Sequence, residues 1–300
     1  MIMILKKLGF YFFITLGITL FLQKFVKILQ WLYKFFFLHK INFKEKYGDG
    51  WVLISGGSEG IGFSFAKKFL EFNYKVCLLS RNIEKLRKAK EDLLKCFPSS
   101  EIRVLSYDLN KSFTENDLLE LNEKLNSLNG NISIFINNAG VVTRDILCNL
   151  TNDQIHSMIN VNVIGMTFIT RAVINIMLTR KQKSLIVSSG SVNGRMRIKT
   201  RSIYSSTKSY LEAFMETLQR EYGNKIDFTC LNIGAVETSL NRVKMPLKVS
   251  ADEFVNSSIN YLGKYGFTTG HIKHELLNIL FWEIPFVKEI YHYITSPQCI

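Results

Sequence analysis

The chain has 300 residues, of which 47% are hydrophobic, and a formal net charge of +13. This composition is sufficient for a large core and excludes an intrinsically disordered protein. The positive charge raises the question of nucleic acid, but the sequence has no zinc-finger spacing, RNP motif or basic low-complexity tail. We therefore expect no nucleic acid, and favour an anionic membrane surface or an acidic ligand as the partner.

Residues 1–45 form a hydrophobic segment that we expect to be an uncleaved membrane anchor. The run 8–23 carries no charge and has lysines on both sides. As a helix it would rise about 24 Å, short of a hydrocarbon core of about 30 Å, unless the lysines extend the span. A second run, 25–38, contains two lysines and is better suited to an interfacial helix. A cleaved signal peptide is the alternative, but no small-x-small cleavage site follows the first run.

From residue 46 onward, apolar runs alternate with amphipathic helical segments. The predicted strands are 51–55, 75–80, 102–107, 132–137, 184–189 and 227–232. Nearly continuous apolar runs are typical of parallel strands that are covered on both faces. One helix is predicted over 83–97, and another begins at Thr151, with Gln154 at capping-box spacing. The pattern predicts an α/β fold, a Rossmann-type doubly wound parallel sheet forming a single catalytic domain over 46–270.

A glycine-rich turn follows the first predicted strand and precedes a helix. Gly56, Gly60 and Gly62 in "SGGSEGIG" have the spacing G-x-x-x-G-x-G. We expect Gly56 to allow the tight turn, Gly60 to let the backbone approach a pyrophosphate, and Gly62 to allow close helix packing. The helix N-terminus would then offer N–H groups and its positive dipole end to phosphates. The motif predicts a dinucleotide site.

The second predicted strand ends in "LLSRN", which bears on the choice of cofactor. In a dinucleotide fold this position faces the adenosine ribose. An acidic residue there would bind the 2′-hydroxyl of NAD, whereas Arg81 could pair with the 2′-phosphate of NADP. The alternative is a solvated arginine at a strand end. We therefore expect NADPH/NADP+ rather than NADH.

Two further features concern metals and the C-terminus. The five cysteines are scattered and include no C-x-x-C pair, so we expect free thiols and neither a disulfide framework nor a structural zinc site. His271 and His274 have helical spacing but no further ligands nearby, so we expect a surface pair and no metal site. Residues 271–300 form an apolar tail, in which 276–287 would be either core or a second membrane contact.

Six motifs occur in one order along residues 50 to about 240, and together they resemble the short-chain dehydrogenase/reductase family. They are "SGGSEGIG" (55–62), "DL" (108–109), "NNAG" (137–140), "VNVIG" (161–165), "GSVNG" (190–194) and "YSSTK" (204–208). The resemblance implies a catalytic tetrad of Asn162, Ser191, Tyr204 and Lys208. Ser191 stands 13 positions before Tyr204, the family's usual interval, which favours it over Ser188 and Ser189. The motif "VNVIG" likewise favours Asn162 over Asn160.

The tetrad suits the reduction of a ketone. Tyrosine alone is a sluggish acid–base group at neutral pH, and the ammonium of Lys208 would favour the tyrosinate form of Tyr204. Ser191 would hydrogen-bond the carbonyl oxygen, an oxyanion-hole role. The resemblance also implies that Asn162 holds a water in a proton relay to Lys208.

The resemblance implies a set of cofactor-binding residues, with Asp108 near adenine, Asn138–Gly140 near the cofactor ribose and Thr238 near the nicotinamide. The full set is Gly56, Ser58, Gly60, Ile61, Gly62, Arg81, Asp108, Asn138, Ala139, Gly140, Tyr204, Lys208 and Thr238. One departure is visible after the sixth strand. Where the family often has Pro-Gly, this chain has Ile233 before Gly234, which weakens the assignment of Thr238 but not that of the tetrad.

Within the family, the anchor and the motifs look most similar to membrane-bound very-long-chain 3-oxoacyl-CoA reductases and related 17-beta-hydroxysteroid dehydrogenases. This implies an endoplasmic-reticulum membrane enzyme with a cytosolic catalytic domain that reduces 3-oxoacyl-CoA in fatty-acid elongation. Other elongation enzymes would be partners, and a homodimer is a further expectation. The alternatives are a steroid or sterol ketone reductase and a 3-ketosphinganine reductase. A catalytically silent membrane scaffold is the alternative from another class, and the intact tetrad argues against it.

The segment between Ser191 and Tyr204 is rich in positive charge. Its four cations are Arg195, Arg197, Lys199 and Arg201. We expect some of them to hold the phosphates of coenzyme A or anionic lipid headgroups. A solvated face is the alternative for any single one.

Overall fold

The computed structural model describes residues 2–36, 40–129, 131–239 and 247–283. The chain forms two compact units, Met1–Lys40 and Ile41–Ile300. The first is helical and the second is an α/β domain.

In the described part of the N-terminal unit, one uninterrupted helix, α1 (Ile2–Phe36), accounts for both apolar runs. The prediction of a separate interfacial helix is therefore wrong: no proline interrupts the junction of the two apolar runs. Its candidate span, Lys6–Val26, has a mean hydropathy of 1.5 and is 0% buried. Twenty-one helical residues rise about 31 Å, which matches a hydrocarbon core of about 30 Å. The Thr15 and Thr19 hydroxyls donate to the carbonyls four residues earlier at 2.8 Å. Each hydroxyl therefore has an acceptor within the helix, as an apolar environment would require.

The second unit is built on a seven-stranded parallel sheet with strand order β3-β2-β1-β4-β5-β6-β7. The strands are β1 (Trp51–Ser55), β2 (Lys75–Ser80), β3 (Ile102–Ser106), β4 (Ile132–Asn137), β5 (Ser184–Ser189), β6 (Ile226–Leu231) and β7 (Phe267–Thr268). The predicted doubly wound sheet is confirmed. Only the short β7 had no predicted counterpart, and β6 begins one residue earlier than expected. The chain reverses direction across the sheet between β1 and β4, and the strand ends there form the usual ligand crevice.

Helices cover both faces of the sheet. They are α2 (Phe43–Tyr47), α3 (Gly60–Glu71), α4 (Ile83–Cys96), α5 (Glu115–Asn126), α6 (Asn152–Ile159), α7 (Met166–Leu178), α8 (Val192–Met196), α9 (Ser202–Tyr222), α10 (Ala251–Ser258) and α11 (Ile272–Glu283). A π-helical turn, Asn160–Gly165, joins α6 to α7. The capping box predicted at Thr151 is present, since both of its hydrogen bonds with Gln154 form. The stretch Asn152–Leu178 is also apolar enough to cross a membrane, but it is 56% buried and packs as core.

Two hydrophobic layers sandwich the sheet because successive strand side chains point to opposite faces. In β1, Val52 and Ile54 join the layer under α3, α4 and α10. Leu53, between them, joins the layer under α5, α7 and α9. This two-sided burial explains the continuous apolar runs of the sequence, and it leaves the strand ends as the place for polar side chains.

The boundary between the two units lies five residues before the expected position at residue 45. Phe43 and Tyr47 in α2 are buried in the α/β core. The Tyr47 hydroxyl donates to the Asp227 carboxylate at 2.9 Å, and Lys46 and Lys183 pair with the same carboxylate at 2.8 and 2.7 Å. At the other end, His271 and His274 are also buried, so the predicted tail begins inside the domain. Residues 284–300 lie outside the described part of the chain.

Candidate active site

The glycine-rich turn forms a tight cradle between β1 and α3. Gly56 has φ +65° and Gly60 has φ +59°, which favours glycine over residues with a Cβ. The Gly56 N–H donates to the Leu79 carbonyl at 2.8 Å, tying the turn to β2. A Cβ on Gly62 would lie 2.3 Å from the Gly56 carbonyl oxygen. The roles predicted for Gly56 and Gly62 therefore match the geometry of the turn.

The first turn of α3 is open toward the crevice. Its N-cap residue, Glu59, makes no side-chain capping bond and instead accepts from the Ser239 hydroxyl at 2.9 Å. The leading N–H groups and the positive end of the helix dipole are thus available to an anion. Ser58 is half-buried in this turn, and Ile61 lines the adjoining cavity. These features fit the pyrophosphate of a dinucleotide.

Asn138 braces the ends of three strands beneath the cradle. Its side-chain Nδ2 donates to the Ser55 and Gly56 carbonyls at 3.3 Å, and its Oδ1 accepts from the Ser189 hydroxyl at 3.0 Å. The backbone N–H groups of Asn138 and Ala139 both donate to the Ser55 hydroxyl. Asn138 and Gly140 line the cavity, so the predicted "NNAG" segment forms its floor.

Arg81 and Asp108 follow β2 and β3 at the same edge of the sheet. Arg81 is exposed, and its carbonyl accepts from the Ser106 hydroxyl at 3.2 Å, which fixes the backbone at the strand end. The Asp108 carboxylate accepts from the Asn110 N–H at 2.9 Å, a local turn in which the aspartate is half-buried. The guanidinium is therefore accessible for the predicted phosphate contact.

Ser191, Tyr204 and Lys208 line one cavity. Lys208 is 6% exposed; its Nζ donates to the Ser189 carbonyl at 2.7 Å and lies 5.7 Å from the centre of the Tyr204 ring. Within the described residues, no carboxylate forms a salt bridge with Lys208. Burying an ammonium without an acidic partner costs free energy. Such an arrangement is typical of a functional site.

Asn162 lies on the π-helical turn, a feature frequent at functional sites. Its Oδ1 accepts from the Val141 N–H and its Nδ2 donates to the Val141 carbonyl, both at 2.8 Å. A Cβ on Gly140 would lie 3.4 Å from Asn162 Oδ1 and 3.6 Å from Lys208 Nζ, so both atoms border one gap. Asn160 instead reaches the Asn110 carbonyl at 3.5 Å. This arrangement favours Asn162 for the tetrad; the water relay stays a prediction.

The cavity has a volume of about 340 Å³ and is mainly apolar. Val142, Met196 and Ile198 form part of its wall, and Thr238 lies at the end next to the cradle. A Cβ on Gly60 would lie 3.2 Å from Thr238 Cγ2, so Thr238 contacts the glycine cradle; its contact with a nicotinamide stays a prediction. The apolar wall suits a substrate with a large apolar portion.

Helix α11 closes the far side of the cavity through His274, Leu277 and Asn278. His274 is fully buried, so the expected surface pair is wrong. Its Nδ1 accepts from the Gly234 N–H at 3.4 Å, and its Nε2 lies 3.2 Å from the Ala235 carbonyl oxygen. The imidazole therefore secures the loop after β6, where the family's proline is missing. Burial lowers the pKa of His274 to about 4, so the ring is neutral.

His271 is buried as well, and its Nε2 lies 3.3 Å from the Glu253 carboxylate. Burial lowers the pKa of His271, although Glu253 opposes that shift. In the described ranges, no group of three or more His, Cys, Asp or Glu side chains could hold a metal ion.

The four cations between Ser191 and Tyr204 differ in their surroundings. Arg195 Nε donates to the Glu212 carboxylate at 2.8 Å, and its guanidinium lies 3.9 Å from the Phe267 ring centre. Its charge is already paired, so a phosphate contact by Arg195 is not supported. Arg197 and Lys199 are exposed. Arg201 lines the cavity.

Sequence reasoning missed three features of the site and its surroundings. Asn193, which lines the cavity, hydrogen-bonds Ser191 at 3.1 Å; its position within "GSVNG" was the available signal. His274 and Asn278 are four residues apart and thus share a helix face, which the sequence could have indicated. The Arg195 partner, Glu212, lies 17 residues away and had no sequence signal.

A profile of the family described as short chain dehydrogenase matches residues 50–246. The chain belongs to this family. The short-chain dehydrogenase is therefore an oxidoreductase that acts between an alcohol and a carbonyl group, as its motifs implied.

Named relatives divide between two substrate classes. A 17-beta-hydroxysteroid dehydrogenase type 3 of Danio rerio is 32% identical over 246 residues, covering 78% of this chain and 77% of that protein. The very-long-chain 3-oxoacyl-CoA reductase of Rattus norvegicus is 28% identical over 235 residues, covering 76% and 73%. Among solved structures, a short-chain dehydrogenase from Sphingobium yanoikuyae in complex with NADPH has a TM-score of 0.65 at 25% identity, covering 71% of this chain and 84% of that one.

Proposed function

We propose that this short-chain dehydrogenase uses NADPH to reduce the keto group of a very-long-chain 3-oxoacyl-CoA to a 3-hydroxyacyl-CoA. The observation that carries the proposal is the meeting of Ser191, Tyr204 and Lys208 in a mainly apolar cavity beside the glycine cradle. The similarity to the rat 3-oxoacyl-CoA reductase supports the choice of substrate.

Each member of the tetrad has a distinct role in this reaction. The nicotinamide cofactor, when bound, supplies the hydride. Tyr204 delivers the proton to the developing alkoxide, and the buried ammonium of Lys208 lies 5.7 Å from the centre of its ring. Ser191 donates a hydrogen bond to the keto oxygen, where negative charge develops. Asn162 borders the gap next to Lys208 and holds a water that returns a proton toward that lysine.

The cofactor would be held by residues that follow five strands of the sheet, β1, β2, β3, β4 and β6. The pyrophosphate would lie among Gly56, Ser58, Gly60, Ile61 and Gly62. Asp108 would lie at the adenine, Asn138, Ala139 and Gly140 at the ribose, and Thr238 at the nicotinamide. Arg81 would pair with the 2′-phosphate, which would make NADPH the preferred form. The relative in complex with NADPH supports that preference.

We further propose that the enzyme is anchored in the endoplasmic-reticulum membrane with its catalytic domain in the cytosol. The span Lys6–Val26 supports an anchor. An acyl substrate partitions into the bilayer, so an anchored enzyme meets it at high local concentration. Because its product would be a 3-hydroxyacyl-CoA of fatty-acid elongation, we propose the other elongation enzymes as its partners. The exposed Arg197 and Lys199 are suited to bind coenzyme A phosphates or anionic headgroups. We also propose that the enzyme forms a homodimer.

A 17-beta-hydroxysteroid is the second candidate substrate, favoured by the 32% identity to the zebrafish enzyme. The decisive experiment gives the purified full chain NADPH with 3-oxohexadecanoyl-CoA, estrone or 3-ketosphinganine, and follows the loss of NADPH absorbance. We expect the highest kcat/KM with the 3-oxoacyl-CoA. A higher value with estrone would replace the first proposal by the second. Turnover of 3-ketosphinganine alone would contradict both.

A further inference from the structure

The Ser191 hydroxyl has both acceptor positions filled by one neighbour. Asn193 donates to Ser191 Oγ through its backbone N–H at 3.3 Å and through its side-chain Nδ2 at 3.1 Å. A serine hydroxyl has two acceptor lone pairs and one proton to donate. Within the described ranges, no acceptor is recorded for that proton. Ser191 is therefore prepared to act as a donor toward the cavity that it lines.

The orientation of the Asn193 amide decides this arrangement. An amide turned by 180° would present Oδ1 to Ser191, and the serine proton would then turn to that oxygen. Arg201 prevents this reversal, because its Nη1 donates to Asn193 Oδ1 at 3.1 Å. A guanidinium carries only donors, so it can face only the carbonyl end of the amide. Asn193 is 8% exposed, which strengthens both bonds relative to those in water.

We propose that Asn193 and Arg201 are positioning residues that hold Ser191 as a hydrogen-bond donor to the substrate's keto oxygen. The cation of Arg201 fixes the amide of Asn193, and the amide in turn fixes the hydroxyl. Donation from the amide also polarises the Ser191 O–H bond and makes it a stronger donor. This inference rests on the proposed carbonyl reduction. It assigns Arg201 to the orientation of Ser191 rather than to the binding of coenzyme A phosphates.

Helix α8, which begins after Ser191, is secured independently of Arg201. The Ser209 hydroxyl donates to the Gly194 carbonyl at 2.6 Å, and a Cβ on Gly194 would lie 3.1 Å from the Lys208 backbone. Arg195 adds its pair with Glu212. Replacing Arg201 should thus leave α8 in place, which separates an effect on the Ser191 hydroxyl from a loss of local structure.

Asn193→Asp is the sharpest test because it preserves shape and the acceptor for Arg201 but removes the amide donor. The Ser191 proton would then turn to the new carboxylate. With 3-oxohexadecanoyl-CoA, we expect kcat to fall roughly 10- to 100-fold, the scale for weakening one oxyanion donor, with KM changed less than threefold. In a Ser191→Ala background, the same substitution should lower kcat less than twofold. Full additivity in that background would overturn the proposal.

Arg201→Gln distinguishes the two roles of the guanidinium when the substrate carries no phosphate. The probes are the N-acetylcysteamine thioester of 3-oxododecanoic acid and estrone. We expect a severalfold loss of kcat with whichever probe the wild-type enzyme reduces. A rise in KM confined to coenzyme A thioesters, with unchanged kcat on the probes, would instead assign Arg201 to phosphate and overturn the proposal.

Arg195→Gln is the matched control, since it loosens the same helix without contacting Asn193 or Ser191. Its kcat should stay within twofold of wild type; a loss equal to that of Arg201→Gln would show a purely structural effect. A readout without turnover keeps this test separate from the proposed function. In protein labelled with ¹⁵N at asparagine, the Asn193 side-chain signal should shift in Ser191→Ala and in Arg201→Gln. An unchanged signal would overturn the inference whatever ketone the enzyme reduces.

Discussion

The Nζ of Lys208 lies 5.7 Å from the centre of the Tyr204 ring, one helical turn further along α9. The same nitrogen donates to the Ser189 carbonyl, which holds the charge in the cavity wall. A cation at that distance acts on the phenol through its field and leaves the hydroxyl open to a substrate. The pair is thus arranged as the proposed proton delivery requires.

Tyr204→Phe should lower kcat at least 100-fold, because the phenol is the only proton donor that the proposed mechanism offers to the alkoxide. NADPH binding, followed by cofactor fluorescence, should change less than threefold. Tyr210→Phe is the matched control on the same helix, since the Tyr210 hydroxyl contacts Thr167 outside the tetrad. Turnover retained in Tyr204→Phe would remove the tyrosine from the mechanism.

Arg81→Ala should raise the KM for NADPH roughly 10- to 100-fold, the value of a lost charge-assisted bond to phosphate. The KM for NADH should change less than threefold, because that cofactor has no 2′-phosphate. Arg87→Ala serves as the control, as Arg87 is exposed and pairs with Glu84 at 2.7 Å. Equal effects on the two cofactors would contradict the assignment.

Gly62→Ala should destabilise the domain and weaken cofactor binding together. The new Cβ would lie 2.3 Å from the Gly56 carbonyl oxygen and 2.8 Å from Asn138 Nδ2, so helix and turn must separate. We expect unfolding to become about 1–3 kcal/mol easier, measured by thermal denaturation, with a parallel loss of NADPH affinity. Gly266→Ala, where nothing lies within 4 Å of the added atom, should leave both unchanged.

His274 should make the fold sensitive to acid. Burial lowers its pKa from 6.5 to about 4. Between these two pH values the His274 imidazole is protonated in the unfolded chain but stays neutral in the folded chain. The stability from neutral His274 is complete above pH 6.5 and is lost as the pH falls toward 4. Between pH 7 and 5 the loss is about 2 kcal/mol.

The measurement for His274 is the free energy of unfolding by urea, in detergent, at pH 7 and pH 5. His274→Asn should reduce the difference between the two pH values by that amount. His156→Asn, at an exposed position on α6, should keep the wild-type difference. Identical pH dependence in wild type and His274→Asn would show that the imidazole is not held neutral in the folded protein.

Much of the fold could be predicted because its strands are buried on both faces. The runs 51–55, 75–80, 132–137 and 184–189 become strands with the expected bounds, since continuous apolar residues have one stable place in a covered sheet. The two-residue β7 is too short to leave a pattern. The continuity of α1 was missed because its lysines resemble the end of a span, although nothing in the sequence terminates the helix.

The site could be predicted where chemistry follows from local spacing. Tyr204 and Lys208 share a helix face at four residues apart, and the glycines form a turn with close backbone contacts. The orientation of Ser191 could not be predicted, because it depends on an amide turned by Arg201 through a loop with Arg197 and Thr200 at positive φ. Likewise, the burial of His274 depends on where α11 packs, which its own residues do not specify.

The region that matches the family ends at residue 246, whereas His274, Leu277 and Asn278 of α11 line the cavity. Part of the cavity wall thus comes from a stretch of chain beyond the family match, whereas the glycine cradle lies within that match. Substitutions in α11 could therefore change the preference among apolar ketones. The proposed cofactor-binding residues and the proposed proton donor would stay the same. We therefore expect the substrate preference to depend on α11.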